Sequence, residues 1–173
     1  MTDWYMLTLI GEDRPGIVAA VTQALYERGM NLGEASMLRL GGSFSIMLMV
    51  SGAADAAAVQ SAVADVAGGL ELRVHVDRIT GGLHRHLVPN VQVTVSGADR
   101  AGIVAQVTGA LAAAGLDILD LASDVAGSED RPVYIMQIAG LAEVPIEDLE
   151  TAVASLRADG VDVRVSSIET LVG

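Results

Sequence analysis

Hydrophobic positions along the chain change period several times, and each change marks an element. "WYMLTLIG" (4–11) is apolar on both faces and predicts a buried strand. Arg14, Pro15 and Gly16 punctuate it, with the proline placed for the first turn of a helix. Ile17, Val18, Val21 and Leu25 then recur at helical spacing, and Gly29 stands where a C′ glycine would end that helix. "NLGEASMLRL" and "FSIMLMV" flank Gly41 and Gly42, a two-residue hairpin signal. "ADAAAVQSAVADVAGG" predicts a second helix, stopped by Gly68 and Gly69. "LELRVHV" alternates apolar with polar, as a strand with one wet face does.

The resulting order, β-α-β-β-α-β, occurs twice. "VQVTVSG", a helix from Ile103 to Ala114, "DILDLASDV", "VYIMQIAG", a helix from Pro145 with Ile146, Leu149, Val153 and Leu156 inward, and "VDVRVSS" repeat it. At an offset of 86 residues, Gly11–Asn31 and Gly97–Asp117 agree at 12 of 21 positions. The fold class predicted is α+β: two ferredoxin-like βαββαβ domains, each an antiparallel sheet with its helices on one face. The domains are expected at 1–80 and 89–173, joined by a linker at 81–88. The second hairpin is expected to carry a longer acidic loop, "AGSEDRP".

Composition narrows the function. All ten basic residues are Arg against 22 acids, for a net charge of −12. Such a chain, with no basic stripe, is unsuited to direct nucleic-acid contact or to anionic membrane surfaces. It has no cysteine, which excludes disulfides and thiolate chemistry and fits the cytoplasm. The N-terminus has no signal-peptide pattern, and the apolar runs are about a strand long, short of the roughly 20 residues of a membrane helix. His84 and His86 flank Arg85 in a segment read as solvated linker, so no metal site is expected. No cofactor motif and no nucleophile–base set is present, and an enzyme is not expected.

The repeated loop joins a strand to a helix N-terminus, where backbone N–H groups lack intrahelical partners and favour an anion. Gly16 and Gly102 would let a small carboxylate approach the backbone. Asp13 and Asp99 would accept from an ammonium group. Asn31 and Asp117 follow each by eighteen residues, at the start of the next strand. Together these groups suit a zwitterion. The same residues also suit a purely structural role, since Asp before a helix is a common cap and Gly a common turn residue.

"GEDRPGIVAAVTQALYERGMNL" resembles the opening of an ACT domain, the small βαββαβ module that senses amino acids, and "GADRAGIVAQVTGALAAAGLDI" resembles it again. Two such domains in tandem resemble the glycine cleavage repressor group. The resemblance implies a regulator that binds a small amino acid, glycine or serine first, at domain interfaces. It would act through a protein partner and admits a homodimer. The alternative is a ligand-free interaction module or a detached regulatory subunit of a metabolic enzyme. The implied ligand-binding residues are Asp13, Pro15, Gly16, Ile17 and Asn31 in the first domain, and Asp99, Gly102, Ile103 and Asp117 in the second. Ala101 replaces Pro15 and Asp117 replaces Asn31, so the second site is expected to differ from the first.

Overall fold

The computed structural model describes residues 3–80, 87–98, 102–128, 130–158 and 160–168. In chain order the elements are β1 (Trp4–Glu12), α1 (Ile17–Glu27), β2 (Asn31–Leu40), β3 (Ser43–Ser51), α2 (Ala56–Gly69) and β4 (Arg73–Arg78). The series repeats as β5 (Val91–Ala98), α3 (Ile103–Ala113), β6 (Leu116–Ser128), β7 (Arg131–Ala142), α4 (Ile146–Ala158) and β8 (Val161–Ser167). The chain divides into two units, Met1–Leu83 and His84–Gly173. The expected linker lies mostly outside the described residues, and His84 and His86 with it.

Each unit is one four-stranded sheet, ordered β2-β3-β1-β4 in the first and β6-β7-β5-β8 in the second. All pairs are antiparallel. Burial decides which face meets the helices. Tyr5, Leu7 and Leu9 of β1 alternate inward, with Phe44, Ile46, Leu48 and Val50 of β3, against Ile17, Val21 and Leu25 of α1 and Val59 and Val63 of α2. Each such side chain stabilises by about 1.5–3 kcal/mol on burial, enough to fix the register of the period-2 pattern. In the second unit Val91, Val93, Val95, Met136 and Ile138 meet Ile103, Val107, Leu111, Leu149 and Val153 in the same way.

Three local expectations are corrected. Pro15 lies before the first helix, not in its first turn: α1 starts at Ile17, and its N-cap is Gly16 in the left-handed region at φ 89°. The second helix runs through Gly68 and Gly69, and the left-handed residue that follows it is Glu71 at φ 55°. The second hairpin has longer arms rather than a longer loop. β6 and β7 stay paired as far as Ser128 and Arg131, with Gly127 opposite Pro132. Two features hold as expected. Gly41 and Gly42, both at positive φ, turn the β2–β3 hairpin. Gly29 ends α1 at φ 70°, with its N–H donating to Tyr26 and that of Met30 to Leu25.

Candidate functional site

β1 ends beside the start of β3, with Gly11 opposite Phe44 and Glu12 opposite Ser43. The tip of the β2–β3 hairpin therefore stands beside the β1–α1 loop. The Asp13 N–H donates to the Gly42 carbonyl at 3.0 Å. The Asp13 carboxylate forms an ion pair with Arg39 of β2. Arg14 turns the other way, donating to Glu12 at 2.9 Å and to Glu71 at 3.3 Å. Its hydrogen bond to Glu12, with the charge of that carboxylate, raises the guanidinium above its ordinary range, so it stays charged.

α1 begins without a side-chain cap, and its first internal bond runs from Ala20 N–H to the Gly16 carbonyl at 3.0 Å. The amides of Ile17, Val18 and Ala19 thus precede the helical bonding pattern. Asp13 is not a helix cap. Asp55 is one: it accepts from the Ala58 N–H at 2.8 Å at the start of α2. Between loop, helix start and strand lies an open groove of about 540 Å³, lined by Asp13, Arg14, Pro15, Gly16, Ile17, Val18, Ala19, Met37, Arg39 and Phe44.

The structure explains most of the repeated residues without a ligand. A Cβ on Gly11 would fall 2.6 Å from the end of the Leu72 side chain, which would have to move, and one on Gly97 3.3 Å from the Gly160 carbonyl, so both positions favour a small residue. Gly16 and Gly102 share φ near 88°, a left-handed N-cap conformation. Ile17, Val21 and Leu25, with Ile103, Val107 and Leu111, are core. Thr22 and Thr108 each donate to the carbonyl four residues back at 2.8 Å. Gly29 and Gly115 follow the helix ends at positive φ. Packing does not account for Val18 and Val104, each 39 % exposed in a first helical turn. Nor does it account for the repeated Asp. Arg39 holds Asp13, but in the second sheet Val125 takes the place of Arg39. Arg39 pairs with Phe44 and Phe44 with Gly11, while Val125 pairs with Tyr134 and Tyr134 with Gly97.

Of the residues singled out from sequence, the first unit brings Asp13, Pro15, Gly16 and Ile17 to one groove. Ile17 offers only backbone there, because its side chain is buried. Asn31 is not brought to it within the unit. It pairs with Ser51, which pairs with Trp4, at the far end of β1. Eight residue steps at ~3.3 Å place it roughly 26 Å from Glu12. Asp117, at the start of β6 and opposite Leu141, likewise stands at the far end of its sheet. Gly102 and Ile103 repeat the geometry of Gly16 and Ile17. Asp99 lies outside the described residues. Met37, Arg39 and Phe44 were not singled out. The available signal was the Gly41-Gly42 turn, which returns β2 and β3 to the level of the loop.

The ACT domain family matches residues 5–77 and again residues 90–166. The chain belongs to the ACT domain family. Its two ACT units are similar, over 143 residues at 25% identity, to the glycine cleavage system transcriptional repressor of Escherichia coli (strain K12), a span of 82% of this chain and 75% of that one. A UPF0237 protein of Listeria monocytogenes (serovar 1/2a) is 32% identical over 76 residues, 42% of this chain and 85% of its own. The crystal structure of an unknown protein from Galdieria sulphuraria superposes with a TM-score of 0.80 at 25% identity, covering 98% of this chain and 100% of that one. The family and the repressor-like relative support a regulatory role for the tandem ACT chain. Among the described residues no helix is long and apolar enough to cross a membrane.

Proposed function

We propose that this chain is an amino-acid sensor, and that the groove beside Asp13 is its ligand site. The observation that carries the reading is the sorting of the repeat. Once packing and backbone geometry are accounted for, the repeated Asp and Arg and the exposed Val18, Ala19, Val104 and Ala105 remain, and in the first unit Asp13, Arg14, Val18 and Ala19 line one groove. An α-amino acid would divide the Asp13–Arg39 pair. Its ammonium would donate to Asp13, and its carboxylate would accept from Arg39 and from the amides at the start of α1. The pair is open to water at its Arg39 end, so breaking it costs about 1 kcal/mol and the exchange is feasible. Pro15 and Gly16 shape the entrance, and Ile17 contributes its N–H.

At the second loop Gly102 and Ile103 would play the same parts with Asp99, but with Val125 in the place of Arg39. Asn31 and Asp117 belong to these sites only where another ACT unit supplies such a residue from its own far end. Glycine and serine are the ligands to test first, because the relative is a glycine cleavage regulator. We read the protein as cytoplasmic, acting without catalysis and through a protein partner rather than by touching DNA. The net charge of −12 agrees with the last point.

Thermal shift and calorimetry against the α-amino acids test the reading. A ligand at 100 times its Kd should stabilise the unit it binds by about 2.7 kcal/mol. Failure of every amino acid to bind would leave an interaction module.

A further inference from the structure

The duplicated fold allows a comparison between two sheet faces built to one plan. In each unit one face packs on the helices and the other turns away. On the outward face of the first sheet β1 places Met6, Thr8 and Ile10, with Met49, Met47 and Ser45 of β3 opposite them and Leu38 of β2 opposite Ser45. The same register in the second sheet holds Gln92, Thr94 and Ser96, with Ala139, Gln137 and Ile135 opposite and Asp124 beyond. Thus Met6, Ile10, Leu38 and Met47 stand where Gln92, Ser96, Asp124 and Gln137 stand. The exchange runs the other way at Ser45, Ser36 and Ser43, whose counterparts are Ile135, Ala122 and the 40 % exposed Val133. Ile10, Leu38 and Met47 are 38 %, 59 % and 47 % exposed. The fold does not require this difference, since both sheets have it in common. Water favours the second pattern, and the first suits a face that is covered. Trp4 extends the patch at one end. A Cβ on Gly33 would fall 2.8 Å from its ring, so the indole approaches the backbone closely at the β2 bulge.

We propose that this outward face is where two copies of the chain pair, sheet on sheet, about a two-fold axis running across the strands. Size supports a second copy. Four strands at ~4.8 Å and about nine residues at ~3.3 Å cover roughly 550 Å² per copy. The total of roughly 1,100 Å² reaches the lower bound of a specific interface, about 1,000 Å². Charge supports it too. At a net charge of −12, two copies repel over most of their surface, but the middle of this face carries no charge. Its β4 edge carries Arg73 opposite Ile10 and Asp77 opposite Met6, with His75 between them reaching Asp77 at 2.9 Å. The stated two-fold lays β4 on β4 in reverse, so that the Arg73 of each copy meets the Asp77 of the other, as an isologous contact requires.

The full chain is tested by light scattering and by fluorescence of Trp4, its single tryptophan. The expected result is a dimer that dissociates on dilution, with the Trp4 emission shifting to the red in step with the loss of mass. Met47→Glu and Leu38→Glu should each weaken the dimer at least tenfold. Gln137→Glu, at the matching place in the second sheet, should leave it unchanged. Arg73→Asp should weaken it, and Arg73→Asp with Asp77→Arg should restore it. Melting curves establish that each variant folds, and Leu38, the more exposed of the two, keeps the test open if Met47→Glu does not. A chain that is monomeric at every concentration overturns the proposal, as does a dimer indifferent to both folded glutamate variants. A Trp4 already shielded in the monomer, or shielded only when a different protein is added, assigns the face to another occupant and overturns it as well.

Discussion

Asp13 and Arg39 form an ion pair across the mouth of the groove, with the Asp13 side chain 22 % exposed and that of Arg39 68 % exposed. The pair joins the β1–α1 loop to the hairpin and is also the charge pair a zwitterion would divide. The two roles predict different outcomes for Arg39→Gln. As a ligand group, its loss should weaken amino-acid binding about tenfold or more, the equivalent of roughly 1.5–3 kcal/mol for a charged hydrogen bond. Stability should change by less than about 1 kcal/mol. Calorimetry and urea melts separate the two. A loss of stability with affinity retained would make the pair a clamp on the hairpin.

Val125→Arg supplies the second unit with the cation that Arg39 places at the same position in the first. Val125 is 54 % exposed, so the longer side chain displaces no core. If Asp99 repeats the part of Asp13, the variant should add a second binding event, or strengthen a weak one about tenfold, in a calorimetric titration. An unchanged isotherm would separate Asp99 from amino-acid binding.

Gly16 distinguishes backbone strain from access. A Cβ there meets nothing within 4 Å, so the cost of Gly16→Ala comes from φ 89° alone, about 1–2 kcal/mol. Gly16→Asn should cost less, because Asn tolerates the left-handed region. Both side chains would stand at the groove and should lower affinity alike. Chemical denaturation ranks the stabilities, and titration of the two folded variants ranks the affinities. Normal binding by the Asn variant would remove Gly16 from the site.

Asp55→Ala should lower the stability of the first unit by about 0.5–2 kcal/mol, through the lost cap on Ala58, and should leave amino-acid affinity unchanged. Asp13→Ala should do the reverse. Thermal melts and calorimetry on the pair test whether the two aspartates have the separate roles their hydrogen bonds indicate.

The elements, their order and the duplication were legible in the sequence because each depends on short-range periodicity. Leu7 and Leu9 alternate inward, Ile17, Val21 and Leu25 recur on one helical face, and glycines mark turns that need positive φ. Part of the candidate groove was legible too, since Asp13, Pro15, Gly16 and Ile17 fall within five residues of one loop. Tertiary structure decided the rest. "AGSEDRP" has the composition of a loop, yet the ladder continues through Gly127 and Pro132 because the opposing strand is there to pair with them. Arg39 reaches Asp13 across 25 intervening residues because the chain climbs β1, returns along α1, climbs again in β2 and turns at Gly41. The same path carries Asn31, nearer in sequence, to the opposite end of the sheet. Local pattern sets which residues form a strand or a helix. Which strand ends meet is set by pairing register and by the return of the helix, and neither is a property of any short stretch.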